Sequence, residues 1–140
     1  MEQAVAIYRE RFRPSEYLAA PRVMLGLNVF AADTDAEARR LFSSLHQAFL
    51  NLRLGRPGKL PPPVDDMESR LDPRARTMLD NSLSCAVVGS ADTVRKGLAA
   101  FVARTGADEL MITAQIFDHT ARRRSFEILA GVHAGLREAA

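Results

Sequence analysis

The stretch from Cys85 to Ala114 constrains the fold of this chain more than any other part of it. A short apolar run turns at Gly89-Ser90. An amphipathic segment follows, with Val94, Leu98, Phe101 and Val102 at three- and four-residue spacing. Gly106 stops it, and a second apolar run closes at Ala114. The pattern reads strand, crossover helix, strand. With almost no residues to spare in the turns, the two strands are expected to be parallel neighbours joined by a right-handed crossover. Ser90 stands at the helix N-cap, its hydroxyl expected to accept from the amide of Asp92 or Thr93. Gly106 fits a left-handed C-cap. The run Leu110 to Ala114 carries no charge and is expected to be buried on both faces.

The same alternation extends upstream. Residues 3 to 12 read as a helix with Ala4, Ile7, Tyr8 and Phe12 on one side, entered without a cap. Arg22 to Ala32 is the strongest strand, with both faces expected to be covered and Gly26 marking a bend or a close approach. Thr34 to Glu37 reads as a capping box opening a helix whose stripe is Leu41, Leu45, Phe49 and Leu52. From Gly55 to Asp72 glycines and prolines make a long surface excursion, read equally as a lid or as a disordered linker. Asp72-Pro73 starts a helix over 73–82. After the last strand, Asp118 caps a final helix with Phe126, Leu129, His133 and Leu136 as its stripe.

At 140 residues the chain is one domain or less, and its hydrophobic fraction of 47% suffices for a core. No run approaches the roughly 20 apolar residues of a membrane span, and no basic-then-apolar leader follows Met1, so a cytoplasmic protein without membrane contact is expected. The lone Cys85 reads as a small core residue rather than a nucleophile. A net charge of only +2 leaves no dense basic face. Arg122, Arg123 and Arg124 point in three directions on a helix and read as a solvated face, so no nucleic acid is expected. His46, His119 and His133 are too scattered for a metal set. His46 and His133 fall within amphipathic helices and read as packing or surface residues.

Three strand-helix units without alternation indicate an α/β protein with a parallel sheet, open or closed as a barrel. Three strands alone would leave hydrophobic edges. If the strand at 22–32 left on the order of 200 Å² uncovered, the loss would be about 5 kcal/mol, as large as a small domain's whole stability. The chain therefore reads as part of something larger, completed by a second copy or by residues outside it.

Four motifs in order carry a family resemblance: Tyr8 to Ser15 (YRERFRPS), Asn28 to Leu41 (NVFAADTDAEARRL), Val87 to Leu98 (VVGSADTVRKGL), and TGADELMIT with FDHTARRRSFEILA between Thr105 and Ala130. Together they resemble the C-terminal part of the luciferase-like flavin-dependent monooxygenases and oxidoreductases. The resemblance implies a partial (β/α)₈ TIM barrel over 1–140, its three parallel strands being barrel strands six to eight with flanking helices. It also implies reduced FMN, delivered by a flavin reductase, which with oxygen oxidises an organic substrate. The excursion at 55–72 resembles the sector where such enzymes keep a segment covering the substrate. The catalytic histidine and most flavin contacts of the family belong to its N-terminal part, so no catalytic residue carries over.

Three residues remain as site candidates. Gly89 and Ser90 lie at a strand end and a helix start, where amides favour a flavin phosphate, although Ser90 also reads simply as a cap. His119, after the last strand, is the candidate substrate-facing group. The leading expectation is a luciferase-like C-terminal segment, inactive alone. The alternative is a non-enzymatic α/β assembly module that dimerises through open strand edges, and a third reading is a small open-sheet nucleotide-binding protein.

Overall fold

The computed structural model describes the backbone of residues 1–138 and the side chains of residues 1–134; Leu136 lies outside the latter. One parallel sheet holds β1 (Met24–Ala31), β2 (Val87–Gly89) and β3 (Glu109–Thr113). Around it lie α1 (Glu2–Arg11), α2 (Asp35–Arg53), α3 (Pro73–Ser82), α4 (Ala91–Thr105) and α5 (His119–Glu138), with a 3₁₀ turn at Met67–Arg70. No helix among the described residues is long and apolar enough to cross a membrane.

Three parallel strands with flanking helices are the expected α/β class, but their order is β2-β1-β3. The Cys85–Ala114 unit therefore does not place its two strands side by side, because β1 lies between them. Numbering the three strands six, seven and eight of a barrel would need β2 in the middle. The two strands meet β1 on opposite edges and at different heights. β2 offers three residues to pair with Val29–Ala31, whereas β3 offers five to pair with Met24–Asn28.

Side chains alternate across β1, and each set finds its own helices. Leu27, Val29 and Ala31 pack with Val94, Leu98 and Phe101 of α4 and with Leu129 and Val132 of α5. Phe30 and Ala32 pack with Leu41 and Leu45 of α2 and Leu79 and Leu83 of α3. Cys85 packs at the margin of the α4–α5 side, as a small core residue would. Thr105 takes the inner place on α4 that the spacing gave to the exposed Val102.

Burial on both faces holds only for the carboxyl half of β1. Met24 is 52% exposed and Met111 of β3 54%, and Gly26 and Thr113 are exposed beside them. The described helices leave that face of the sheet bare, whereas Leu25, Leu110 and Ile112 on the opposite face pack against the α4–α5 side. On α1 only Val5 is buried, while Ile7 and Tyr8 remain exposed. What ties α1 down is Arg9, which donates to the carbonyls of Thr105 and Gly106 at the end of α4. Gly106 is the left-handed C-cap expected, at φ 62°.

The last helix is rotated relative to the expected stripe. Leu129 is buried, but so are Ser125 and Val132, whereas Phe126 is 41% exposed and His133 is also exposed. Ser125 accounts for the rotation. β3 ends at the partner of Asn28, and the buried Ser125 hydroxyl accepts from the Ala31 amide at 3.0 Å, where a longer β3 would have done so.

Candidate site at the carboxyl ends of the strands

Ligands of parallel α/β sheets gather where the strands end and the helices begin, because amides and helix dipoles converge there. In this chain that rim is made by Ala32–Asp35 after β1, Gly89–Ser90 after β2 and Ala114–His119 after β3.

Thr34 caps α2 as expected, its hydroxyl accepting from the Glu37 amide at 3.1 Å. The next residue carries the surprise. Asp35 crosses to β2, where its Oδ1 accepts from the Ser90 amide at 2.6 Å. The Ser90 hydroxyl makes no capping bond to the α4 backbone; it lies 3.4 Å from the Thr93 hydroxyl instead. Hydrogen bonds from the Ser90 amide first, then from the Thr93 and Ser90 hydroxyls, hold Asp35 below the usual carboxylate range. Gly89 is what lets the carboxylate in. A Cβ at Gly89 would stand 2.7 Å from Asp35 Oδ1 and 2.5 Å from Thr93 Cγ2. The turn read as a phosphate cradle thus already holds an anion belonging to the chain, with Asp35 where a flavin phosphate would have to sit. As it stands the turn does not fit that group.

Asp118 caps α5 through the Ala121 amide at 2.7 Å. His119 is exposed, with Nδ1 3.1 Å from Arg122 Nη2, and it does not meet Gly89–Ser90 or either of the other histidines. Arg124 reaches back over the rim to Asp33 at 2.7 Å, so this arginine of the basic triplet fastens α5 to the end of β1.

A feature absent from the sequence reading lies between α2, the proline-rich segment and α3. There a cavity of about 1030 Å³ is lined by Phe42, His46, Met67, Glu68, Asp80 and Val88, among others. Phe42 packs edge-on against the core ring of Phe30 at 4.8 Å, and His46 lies 4.3 Å from Phe42, so a line of rings runs from the core to the cavity wall. Burial pushes His46 below the usual imidazole range, opposed by the nearby Asp80 and Glu68, so the ring is neutral at neutral pH. Its place on an amphipathic helix gave no sign of this, because the wall opposite is built by a segment without periodicity.

The middle of that segment is tied to α2. Asp65 pairs with Arg40 at 2.9 Å, the Val64 amide donates to the Ser43 hydroxyl at 2.8 Å, and Gln47 donates to the Pro62 carbonyl at 3.0 Å. Positions 40, 43 and 47 share one face of α2, so the segment runs along it as a strap. Asp66 turns the strap into the 3₁₀ element with φ 51°.

No family model matches the chain. It is 42% identical over 130 residues to a luciferase-like monooxygenase of Escherichia coli, covering 93% of this chain and 39% of that protein. It is equally 42% identical to the uncharacterized protein YvbT of Bacillus subtilis, covering 92% of this chain and 38% of YvbT. The crystal structure of apo-MsnO8 superposes with a TM-score of 0.80 at 32% identity, over 95% of this chain and 41% of that one. The chain thus spans about two fifths of the length of the relatives it matches.

Proposed function

The chain belongs to the luciferase-like monooxygenase family, of which it spans the C-terminal part, and we propose that it serves a flavin-dependent monooxygenase as one portion of a (β/α)₈ barrel. The observation that supports this reading is the 42% identity that runs through 93% of the chain and stops at 39% of the relative. Reduced FMN, supplied by a flavin reductase, would provide the electrons that let oxygen oxidise an organic substrate.

The work of this chain in such an enzyme is positional. The strap along α2 and the line Phe30, Phe42, His46 form one wall of a cavity beside β2, where apolar contacts from Phe42, Met67 and Val88 stand among the charged side chains of Arg39, Glu68 and Asp80. His119 contributes to substrate binding from the end of β3. Gly89 and Ser90 take part in holding the flavin phosphate only where Asp35 gives up the Ser90 amide, and the rest of the flavin is held by the family's N-terminal portion. On this reading the chain alone is inactive.

The test is turnover. The chain, alone and coexpressed with the N-terminal portion of the Escherichia coli relative, is supplied with FMN, a flavin reductase and long-chain aldehyde as a probe, and oxidised product is measured. Oxygen-dependent product from the pair and none from the chain supports the proposal. The absence of product from a stable pair across aldehyde, sulfonate and aromatic probes would overturn it. The exposed edge of β3 favours one other reading, a self-associating α/β module without activity, which that same negative result would support.

A further inference from the structure

The cavity between α2, the strap and α3 offers a ligand two kinds of surface. Phe42, Met67 and Val88 supply apolar contacts, and the volume of about 1030 Å³ is that of a small-molecule cleft. The rest of the lining is charged, and the charges do not balance. Five carboxylates, those of Glu37, Asp65, Asp66, Glu68 and Asp80, meet the two guanidiniums of Arg39 and Arg40. Arg40 is paired with Asp65, and Glu68 is paired with Arg76 from outside the cavity. Among the described residues Glu37, Asp66 and Asp80 have no ion-pair partner, and of the two lining cations only Arg39 is left to oppose them. The cavity therefore keeps an excess of negative charge.

His46 adds an independent feature. Among the described residues only His119 has a hydrogen-bonded imidazole. The one side-chain polar atom there that is both sealed from solvent and unpartnered is Ser44 Oγ. The ring nitrogens of the half-buried His46 are thus without partners but not sealed, and the ring lines the cavity. A neutral imidazole carries one acceptor nitrogen and one donor. Asp80 of α3 and Glu68 of the 3₁₀ turn lie close enough to act on the ring by charge. An acceptor beside unbalanced carboxylates calls for a donor that is itself positive.

We propose that this cavity binds an organic amine, its ammonium donating to His46 and facing Asp80, its apolar body lying on Phe42, Met67 and Val88. The proposal rests on the reading of this cavity as the substrate site and narrows that reading to one charge class. An anion would meet the unpaired carboxylates, and a neutral apolar molecule would leave His46 and Asp80 as they stand.

Isothermal titration with phenethylamine, phenethyl alcohol and phenylacetate tests this, on the purified chain and on the chain copurified with the N-terminal portion of the Escherichia coli relative. The three probes share an aryl body and differ in the charge of the head. The amine should bind at least about tenfold more tightly than the alcohol, and phenylacetate more weakly than either. Asp80→Asn, at an exposed side chain, should melt like the parent and cut the advantage of the amine to about twofold. His46→Phe, which keeps a ring beside Phe42 and removes the acceptor, should reduce it similarly. Equal binding of amine and alcohol, tighter binding of phenylacetate, binding of no probe to either sample, or an Asp80→Asn chain with the parent's preference would each overturn the proposal. The probe series on the parent needs no variant, so a misfolded variant leaves it decisive. Amine binding by a pair that yields no oxidised product would sink the proposed activity and not the ligand class; oxidised aldehyde from a pair without amine preference would do the reverse.

Discussion

Replacing Ser125 with alanine removes one oxygen from a position without solvent exposure. That oxygen is the acceptor for the Ala31 amide at 3.0 Å, on a strand residue that is itself 1% exposed. Helix α5 covers the amide, β3 has already ended, and β2 pairs on the opposite edge, so no strand can take over the bond. A buried donor left without a partner costs about 1–3 kcal/mol, against roughly 1 kcal/mol for an ordinary exposed bond. For a domain of this size each kcal/mol shifts the melting temperature by roughly 3–5 °C, so Ser125→Ala should melt about 5–10 °C lower. Circular dichroism at neutral pH reads the melt, and hydrogen exchange at Ala31 reads the site itself. Ser82→Ala, on the exposed face of α3, is the control and should stay within about 0.5 kcal/mol of the parent. If Ser125→Ala melts with the parent and the Ala31 amide keeps its protection, the argument that α5 completes the sheet edge fails.

Gly97→Ala sets two effects against each other: alanine gains about 1 kcal/mol of helix propensity, but its Cβ would stand 2.6 Å from Val87 Cγ1. Overpacking should win by about 1 kcal/mol, and Val87→Ala in the same chain should recover the loss in a double-mutant cycle of urea melts. Ser43→Ala frees the Val64 amide and should cost about 1–2 kcal/mol while making residues 56–66 a preferred site of limited proteolysis. Because burial lowers the folded pKa of His46, its neutral form is favoured by folding. Stability from this residue is complete above about pH 6.5 and is lost as pH falls from there through the lowered pKa, and His46→Gln should flatten that part of the urea-midpoint profile. Asp35, also lowered, acts further into acid: its contribution is present above the ordinary aspartate range, fades as pH falls through the folded value, and should vanish from the profile in Asp35→Asn.

Local chemistry was legible in the sequence wherever one residue type decides one backbone event. Thr34, Asp72 and Asp118 cap their helices through their own side chains, and Gly106 ends α4 in the left-handed region. Events that join distant segments were not. Ser90 has the composition of a cap, but Asp35, 55 residues earlier, takes its amide. Apolar spacing favours Phe126 over Ser125 for the core, because the strand amide that Ser125 serves leaves no mark on the sequence of the helix. Strand order is not legible for a related reason: β2 and β3 read alike as short apolar runs, and nothing local to either says which edge of β1 it takes. The site was legible as a rim, through Gly89, Ser90 and His119, whereas its cavity depends on a strap whose contacts with α2 follow no periodic rule.

The most direct measurement is a titration with FMN, read by flavin fluorescence, of the purified chain and of the chain copurified with the N-terminal portion of its relative. One flavin per pair, with none held by the chain alone, is the expected result, since the Gly89–Ser90 turn is filled by Asp35 and the sheet is open at β1. Stoichiometric FMN bound by the isolated chain would contradict it.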